Sequence, residues 1–138
     1  MRFNDKTVIV TGGGSGIGKE VARRAVAEGA RVLITGRNDA KLTAAAREID
    51  PAGKAVVTLA GDISRPETAG MVVAAAEEAF GGPDVLINNA GIFKPLAFLD
   101  HDEADFDRFI GTILKGKFFM AQAAARAMQR RGGGVIVQ

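Results

Sequence analysis

The stretch Thr7 to Gly18 (TVIVTGGGSGIG) constrains this chain more than any other. An apolar run, Val8-Ile9-Val10, meets glycines at Gly12, Gly13 and Gly14, and an apolar-patterned segment begins at Ile17. β-branched residues pack well on a pleated surface, and glycines let the chain turn sharply and let a ligand reach the backbone. Ile17, Val21, Ala25 and Gly29 recur every four residues, which predicts one face of a helix. Strand, glycine turn and helix in that order build an anion site, because the free N–H groups at the helix start and the helix dipole favour a phosphate.

The spacing narrows the choice. Gly12, Gly16 and Gly18 read G-x-x-x-G-x-G, and no frame gives G-x-G-x-x-G. A P-loop frame runs from Gly13 to Gly18-Lys19, but Glu20 stands where a Ser or Thr must hold magnesium. A carboxylate cannot supply that hydroxyl and would repel a triphosphate. A turn without a ligand needs one or two glycines, fewer than this stretch contains.

Composition excludes several classes. The 138 residues suffice for one core, and the chain reads as one domain over residues 1–138. With 47% apolar residues it is a folded globular chain. Lys and Arg total 18 and Asp and Glu 16, too balanced for a nucleic-acid or membrane partner. The absence of cysteine excludes disulfides and thiolate chemistry, and a lone histidine, His101, excludes a multi-histidine metal site, so no metal is expected. No apolar run approaches the ~20 residues of a membrane span, and Met1 to Asp5 lacks a signal peptide's apolar segment. The cytoplasm is the expected compartment.

Along the chain, strands are predicted at about Thr7–Val10, Arg31–Thr35, Ala55–Leu59, Val85–Ile87 and Val135–Val137. Helices alternate with them. The first runs from Ser15 or Gly16 to Glu28. The second starts near Asn38 or Asp39 with Leu42, Ala45, Ala46 and Ile49 inward. The third opens on a Ser64/Glu67 capping box with Pro66 in its first turn and carries Val72, Ala75, Ala76, Ala79 and Phe80. A long fourth stretch from Asp102 to Arg131 follows an Asp100/Glu103 capping box, with an interruption at Gly111 and with Phe106 and Phe109 in the core. Continuously apolar strands separated by helices mean a parallel sheet covered on both faces. Ligands in such sheets bind beyond the carboxyl ends of the strands. Those ends carry Gly12 to Gly18, Gly36-Arg37, Gly61-Asp62 and Asn88 to Gly91, all on one rim.

Thr11-Gly12-x-x-x-Gly16-x-Gly18 after the first strand, with Asn88-Asn89-Ala90-Gly91 after the fourth, resembles the short-chain dehydrogenase/reductase family over essentially the whole chain. The resemblance implies an α/β, Rossmann-type three-layer αβα sandwich whose parallel sheet has the order 3-2-1-4-5. It would be incomplete on its C-terminal side, because full members add further strands. It also implies an NAD(P)-dependent oxidoreductase that moves hydride between cofactor and an alcohol or carbonyl substrate, in a homodimer or homotetramer. Gly12, Ser15, Gly16, Ile17 and Gly18 would form the phosphate turn. Asp62 and Ile63 would meet the adenine, although Asp62 also reads as a plain turn residue. Asn89, Ala90 and Gly91 would run along the nicotinamide-side ribose, and Asn88 would tie the fourth strand to its neighbour.

The departures carry equal weight. The family's catalytic set is Asn, Ser, Tyr and Lys. Ile113 falls at the Asn position, the chain contains no tyrosine, and the Ser and Tyr-x-x-x-Lys positions would lie past Gln138. Lys115 and Lys117 sit in a different helix and do not replace the missing lysine. The chain therefore reads as part of a longer enzyme, inactive by itself. A nucleotide-binding protein without catalysis and an interaction module using the fourth helix are the alternatives. The segment Ile92-Phe93-Lys94-Pro95-Leu96 either touches a substrate or packs the loop down. At the end of the second strand, Gly36 occupies the family's usual acidic position and Arg37 follows. A glycine leaves room without negative charge, and a guanidinium suits a phosphate. Asp39 reads as a cap or first-turn residue. NADP is expected over NAD.

Overall fold

A computed structural model describes residues 1–138. Its strands are β1 (Thr7–Thr11), β2 (Arg31–Gly36), β3 (Val56–Ala60), β4 (Val85–Ile87) and β5 (Val135–Val137), all parallel in the order β3-β2-β1-β4-β5. Ile9 lies opposite Leu33 on one side and Leu86 on the other. These residues, one per strand, point to the face covered by α3 (Pro66–Phe80) and α5 (Lys117–Arg130), where they meet Val72, Ala76, Met120 and Ala124. Val8, Val10, Val32 and Ile34 alternate to the other face, under α1 (Gly16–Ala27) and α2 (Asp39–Ile49). Side chains alternate with period 2, so a strand buried on both faces is apolar at every position. The result is the Rossmann-type α/β sandwich implied by the sequence. The chain leaves β1 toward β2 and β3 on one side and later fills β4 and β5 on the other, so the order reverses beside β1.

Several local expectations need correction. On α1 the buried residues are Gly18, Ala22 and Ala25, while Ile17 is 77% exposed, because Ile17 sits in the first turn at the open rim. β3 starts at Val56, whose N–H shares the Asp50 carboxylate, at 3.2 Å, with the Ala55 N–H, which donates to it at 2.6 Å. That contact, above all, holds the Asp50 pKa below the usual carboxylate range. Ser64 does not cap α3. Its own N–H donates to Asp62 Oδ1 at 3.0 Å, which shifts the helix start so that Arg65 is the N-cap and Pro66 the first residue. On α3, Thr68, Ala69 and Val73 are buried and Ala79 is exposed.

The predicted fourth helix is three segments. α4 (Glu103–Phe109) is capped by Asp102, whose side chain accepts from the Asp105 N–H at 2.7 Å, whereas Asp100 lies in a 3₁₀ turn, Phe98–Asp100. Residues Ile110–Gly116 follow as a π-helix, and α5 completes the run. The chain widens at Gly111 instead of breaking. The wide turn rests on the segment after β3, where a Cβ on Gly116 would lie 2.8 Å from the Ile63 carbonyl. Phe106 is 63% exposed and outside the core, because Asp105 takes the inward position on α4. Phe106, Ile110, Leu114 and Phe118 instead form an exposed stripe at four-residue spacing. Arg130 pairs with Glu77 of α3 at 2.7 Å, and Arg131 bonds the Gly81 carbonyl.

Candidate functional site

The site starts from the turn after β1. Both Gly12 and Gly13 donate their N–H to the Thr35 carbonyl, at 2.8 and 3.2 Å, which sews the turn to the end of β2. Gly12 has φ +67°, and a Cβ there would lie 3.0 Å from Ala90 Cα. A Cβ on Gly13 would lie 2.6 Å from Ile34 Cβ, and one on Gly18 would strike the Gly12 carbonyl. Packing therefore accounts for these three glycines. Gly16 differs, with φ +53° and nothing within 4 Å of a Cβ. Beside it, Ser15 is the N-cap of α1 without a side-chain cap bond, and no acidic residue stands in the first turn. The helix start is left with free N–H groups at an open surface, the arrangement that holds anions.

The end of β4 is fastened to the same turn. The Thr11 hydroxyl accepts from the Ala90 N–H at 2.9 Å, and Asn89 Nδ2 donates to the Thr11 carbonyl at 3.1 Å. Asn88 is 1% exposed and donates to the Lys117 carbonyl at 2.8 Å and to Gln138 Oε1 at 3.1 Å. Its carboxamide thus joins β4 to the start of α5 and to the residue after β5.

These pieces enclose a cleft of about 530 Å³. Gly12, Ser15, Arg37, Asp62, Ile63, Ala90 and Gly91 line it. Gly16, Ile17, Gly18 and Asn89 lie outside its lining; Gly18 is buried beneath the turn, and the Asn89 side chain is spent on β1. One Asp62 oxygen accepts from Ser64, a turn role, and Oδ2 has no protein partner. At the β2 end, Gly36 rests on Leu42 with 3.7 Å between a Cβ and Leu42 Cδ2. Asn38 caps α2 by accepting from the Lys41 N–H at 2.9 Å. Asp39 is a first-turn residue of α2. Arg37 and Lys41 both line the cleft and neither makes an ion pair. Farther along the rim, Lys94 Nζ donates to both oxygens of Asp105, at 2.6 and 2.8 Å. This bond first, ahead of the charges of Lys94, Arg108 and His101, holds the Asp105 pKa below the usual carboxylate range.

The family model for short chain dehydrogenases matches residues 6–138. The chain belongs to that family. Among its relatives, the L-rhamnose 1-dehydrogenase (NAD(P)(+)) of Azotobacter vinelandii is 43% identical over 99% of this chain and 56% of its own length. The galactitol 2-dehydrogenase of Agrobacterium fabrum is 38% identical over 99% of this chain and 53% of its own. A short-chain type dehydrogenase/reductase structure from Mycobacterium marinum superposes with TM-score 0.92 at 35% identity, covering 97% of this chain and 55% of that one. The chain spans about half the length of the curated relatives it matches.

Within this short-chain dehydrogenase fold, sequence reasoning missed three polar residues of the cleft lining: Asn38, which was read as a helix cap alone, Lys41 and Thr112. Lys41 was legible through the Asn38 cap, since a helix starting there brings residue 41 back over residue 37 within about one turn. Thr112 lines the cleft, whereas its neighbour Ile113, at the family's Asn position, is 40% exposed and lies outside the lining. No pattern signalled this, because the π-helical turn sets which residue faces inward.

Proposed function

We propose that the cleft binds a nicotinamide dinucleotide, NADP(H) over NAD(H), as the cofactor half of an oxidoreductase acting on an alcohol/carbonyl pair. The observation that carries this reading is one cleft with two anion-seeking ends: the uncapped start of α1 at Ser15, and the unpaired cations Arg37 and Lys41 beside Gly36. The residues present fit the group. Gly16 leaves the helix start open, Gly36 leaves room at the β2 end, and Asp62 Oδ2 is free to accept from an adenine amino group. Bound there, the nicotinamide supplies the hydride chemistry. The free N–H groups of α1 would hold the pyrophosphate, Arg37 and Lys41 would hold the 2′-phosphate, and Ala90, Gly91 and Ile92 would form the far wall.

No tyrosine is present in these 138 residues to move the proton, so the chain by itself binds without turning over. The names of its relatives, an L-rhamnose and a galactitol dehydrogenase, make sugars and polyols the first substrates to try with a longer form. A second reading, self-association, rests on the exposed stripe Phe106, Ile110, Leu114 and Phe118. Fluorescence titration with NADPH, alongside assays on sugar and polyol panels, tests the main reading. Saturable binding weakened by Asp62→Leu, with no turnover, is expected. Absence of binding contradicts it, as does turnover by this chain.

A further inference from the structure

From Gly91 to His101 the chain crosses the rim between β4 and α4 with almost nothing to hold it. No backbone group in this segment bonds to a residue outside it. Packing supplies little: Phe93, Phe98 and Leu99 are 87–88% exposed, and the one ring contact to α4, His101 edge-on to Phe109 with 5.9 Å between centroids, lies at the last residue of the segment. The polar contacts that leave the segment all converge on Asp105 of α4, the one buried carboxylate in the chain. Lys94 bonds both of its oxygens, and His101 Nδ1 stands 3.7 Å away. Asp105 is fixed from its own side: its N–H donates to the Asp102 cap and Arg108 lies 3.6 Å from its carboxylate. Two residues before Lys94, Ile92 lines the dinucleotide cleft, and Gly91 precedes it.

We propose that Lys94 and Asp105 are positioning residues of the cleft: their ion pair tethers segment 91–101 to α4 and thereby fixes the cleft wall at Gly91 and Ile92. A segment without backbone bonds or packing opens locally at little cost unless one strong contact restrains it. A short, charge-assisted contact on a largely desolvated carboxylate is of the strong kind. The lysine is the movable partner and the aspartate the anchor, since the Lys94 side chain is 38% exposed and that of Asp105 9%. The proposal rests on the dinucleotide reading only for the identity of the ligand.

Hydrogen exchange on the chain, read at the Leu96 and Asp100 amides, which donate to carbonyls within the segment, with β1 and β2 as internal reference, tests the tether in wild type, Lys94→Met, Lys94→Arg and Lys94→Met/Asp105→Asn. In Lys94→Met the segment is expected to exchange about tenfold faster, the scale of one charge-assisted hydrogen bond, with β1 and β2 unchanged. NADPH affinity should fall roughly threefold to tenfold in the same variant. Lys94→Arg should restore both, and the double variant should be no worse than Lys94→Met. Unchanged exchange in the segment, an equal rise in β1 and β2, or unchanged affinity despite a freed segment overturns the proposal. Wild type that takes up no NADPH overturns the cofactor reading instead, and the exchange data still decide the tether.

Discussion

The chain contains the same apolar triplet twice, in the same sheet, with opposite fates. Val8-Ile9-Val10 of β1 are 2%, 0% and 0% exposed, whereas Val135 and Val137 of β5 are 58% and 47% exposed and Ile136 is half-buried. The difference lies in the neighbours. On one face α3 and α5 reach across from β3 to β5, so both isoleucines join the same cluster. On the other face α1 and α2 seal β1 and β2, while the outward valines of β5 meet no helix. An apolar strand is therefore a statement about what its residues can bury. What they do bury depends on elements far away in sequence. The cleft lies at the sealed end of this contrast, past the carboxyl ends of β1, β2, β3 and β4.

The largest effect expected from the contrast is in the two isoleucines. Ile9→Ala should cost about 2–5 kcal/mol, because it empties a position packed on all sides. Ile136→Ala should cost less than about half as much, in proportion to the apolar area each withdraws from water. Urea unfolding of both variants measures the ratio, and equal costs would mean that β5 is as well packed as β1.

A smaller effect of opposite sign sits in β2. The Thr35 hydroxyl is buried with no hydrogen-bond partner. Thr35→Val keeps the shape and removes the unpaired group, so a gain of about 1 kcal/mol is expected in the same assay. Loss of stability would show that the hydroxyl has a partner in solution.

The smallest effect belongs to the outer surface of α1. Arg23 foremost, and then Arg24, lower the Glu20 pKa from 4.5 to about 2. Because the folded-state value is depressed, the contribution to stability is present above about pH 4.5 and is lost as pH falls toward 2. The stability difference between wild type and Glu20→Gln should therefore be small at pH 7, as for exposed pairs generally, and vanish near pH 2. A difference that grows on acidification would reverse the sign.

The layers of the fold were legible because each strand and each helix carries its own period. The order β3-β2-β1-β4-β5 was not in the period; it came with the glycine and Asn-Asn-Ala-Gly motifs. What escaped were contacts settled between elements. The Ser64 N–H bonds Asp62 and moves the start of α3. Asp105 displaces Phe106 from the inward side of α4 because Lys94 meets it from a loop. In the site, Arg37 and Asp62 could be read from their places at strand ends. Lys41 required the helix cap, and Thr112 required a π-turn that apolar spacing does not encode. Gly18 reads as part of a phosphate turn, yet the Gly12 carbonyl is what demands glycine there.

The central claim is that Arg37 and Lys41 make the β2 end of the cleft a phosphate site, and parallel titrations of NADPH and NADH at fixed ionic strength test it most directly. A charge-assisted contact worth roughly 1.5–3 kcal/mol sets the expected result: NADPH binds about tenfold to a hundredfold more tightly than NADH, and Arg37→Ala and Lys41→Ala each narrow that ratio while leaving NADH affinity in place. Equal affinities in wild type, or a ratio that survives both substitutions, would contradict it.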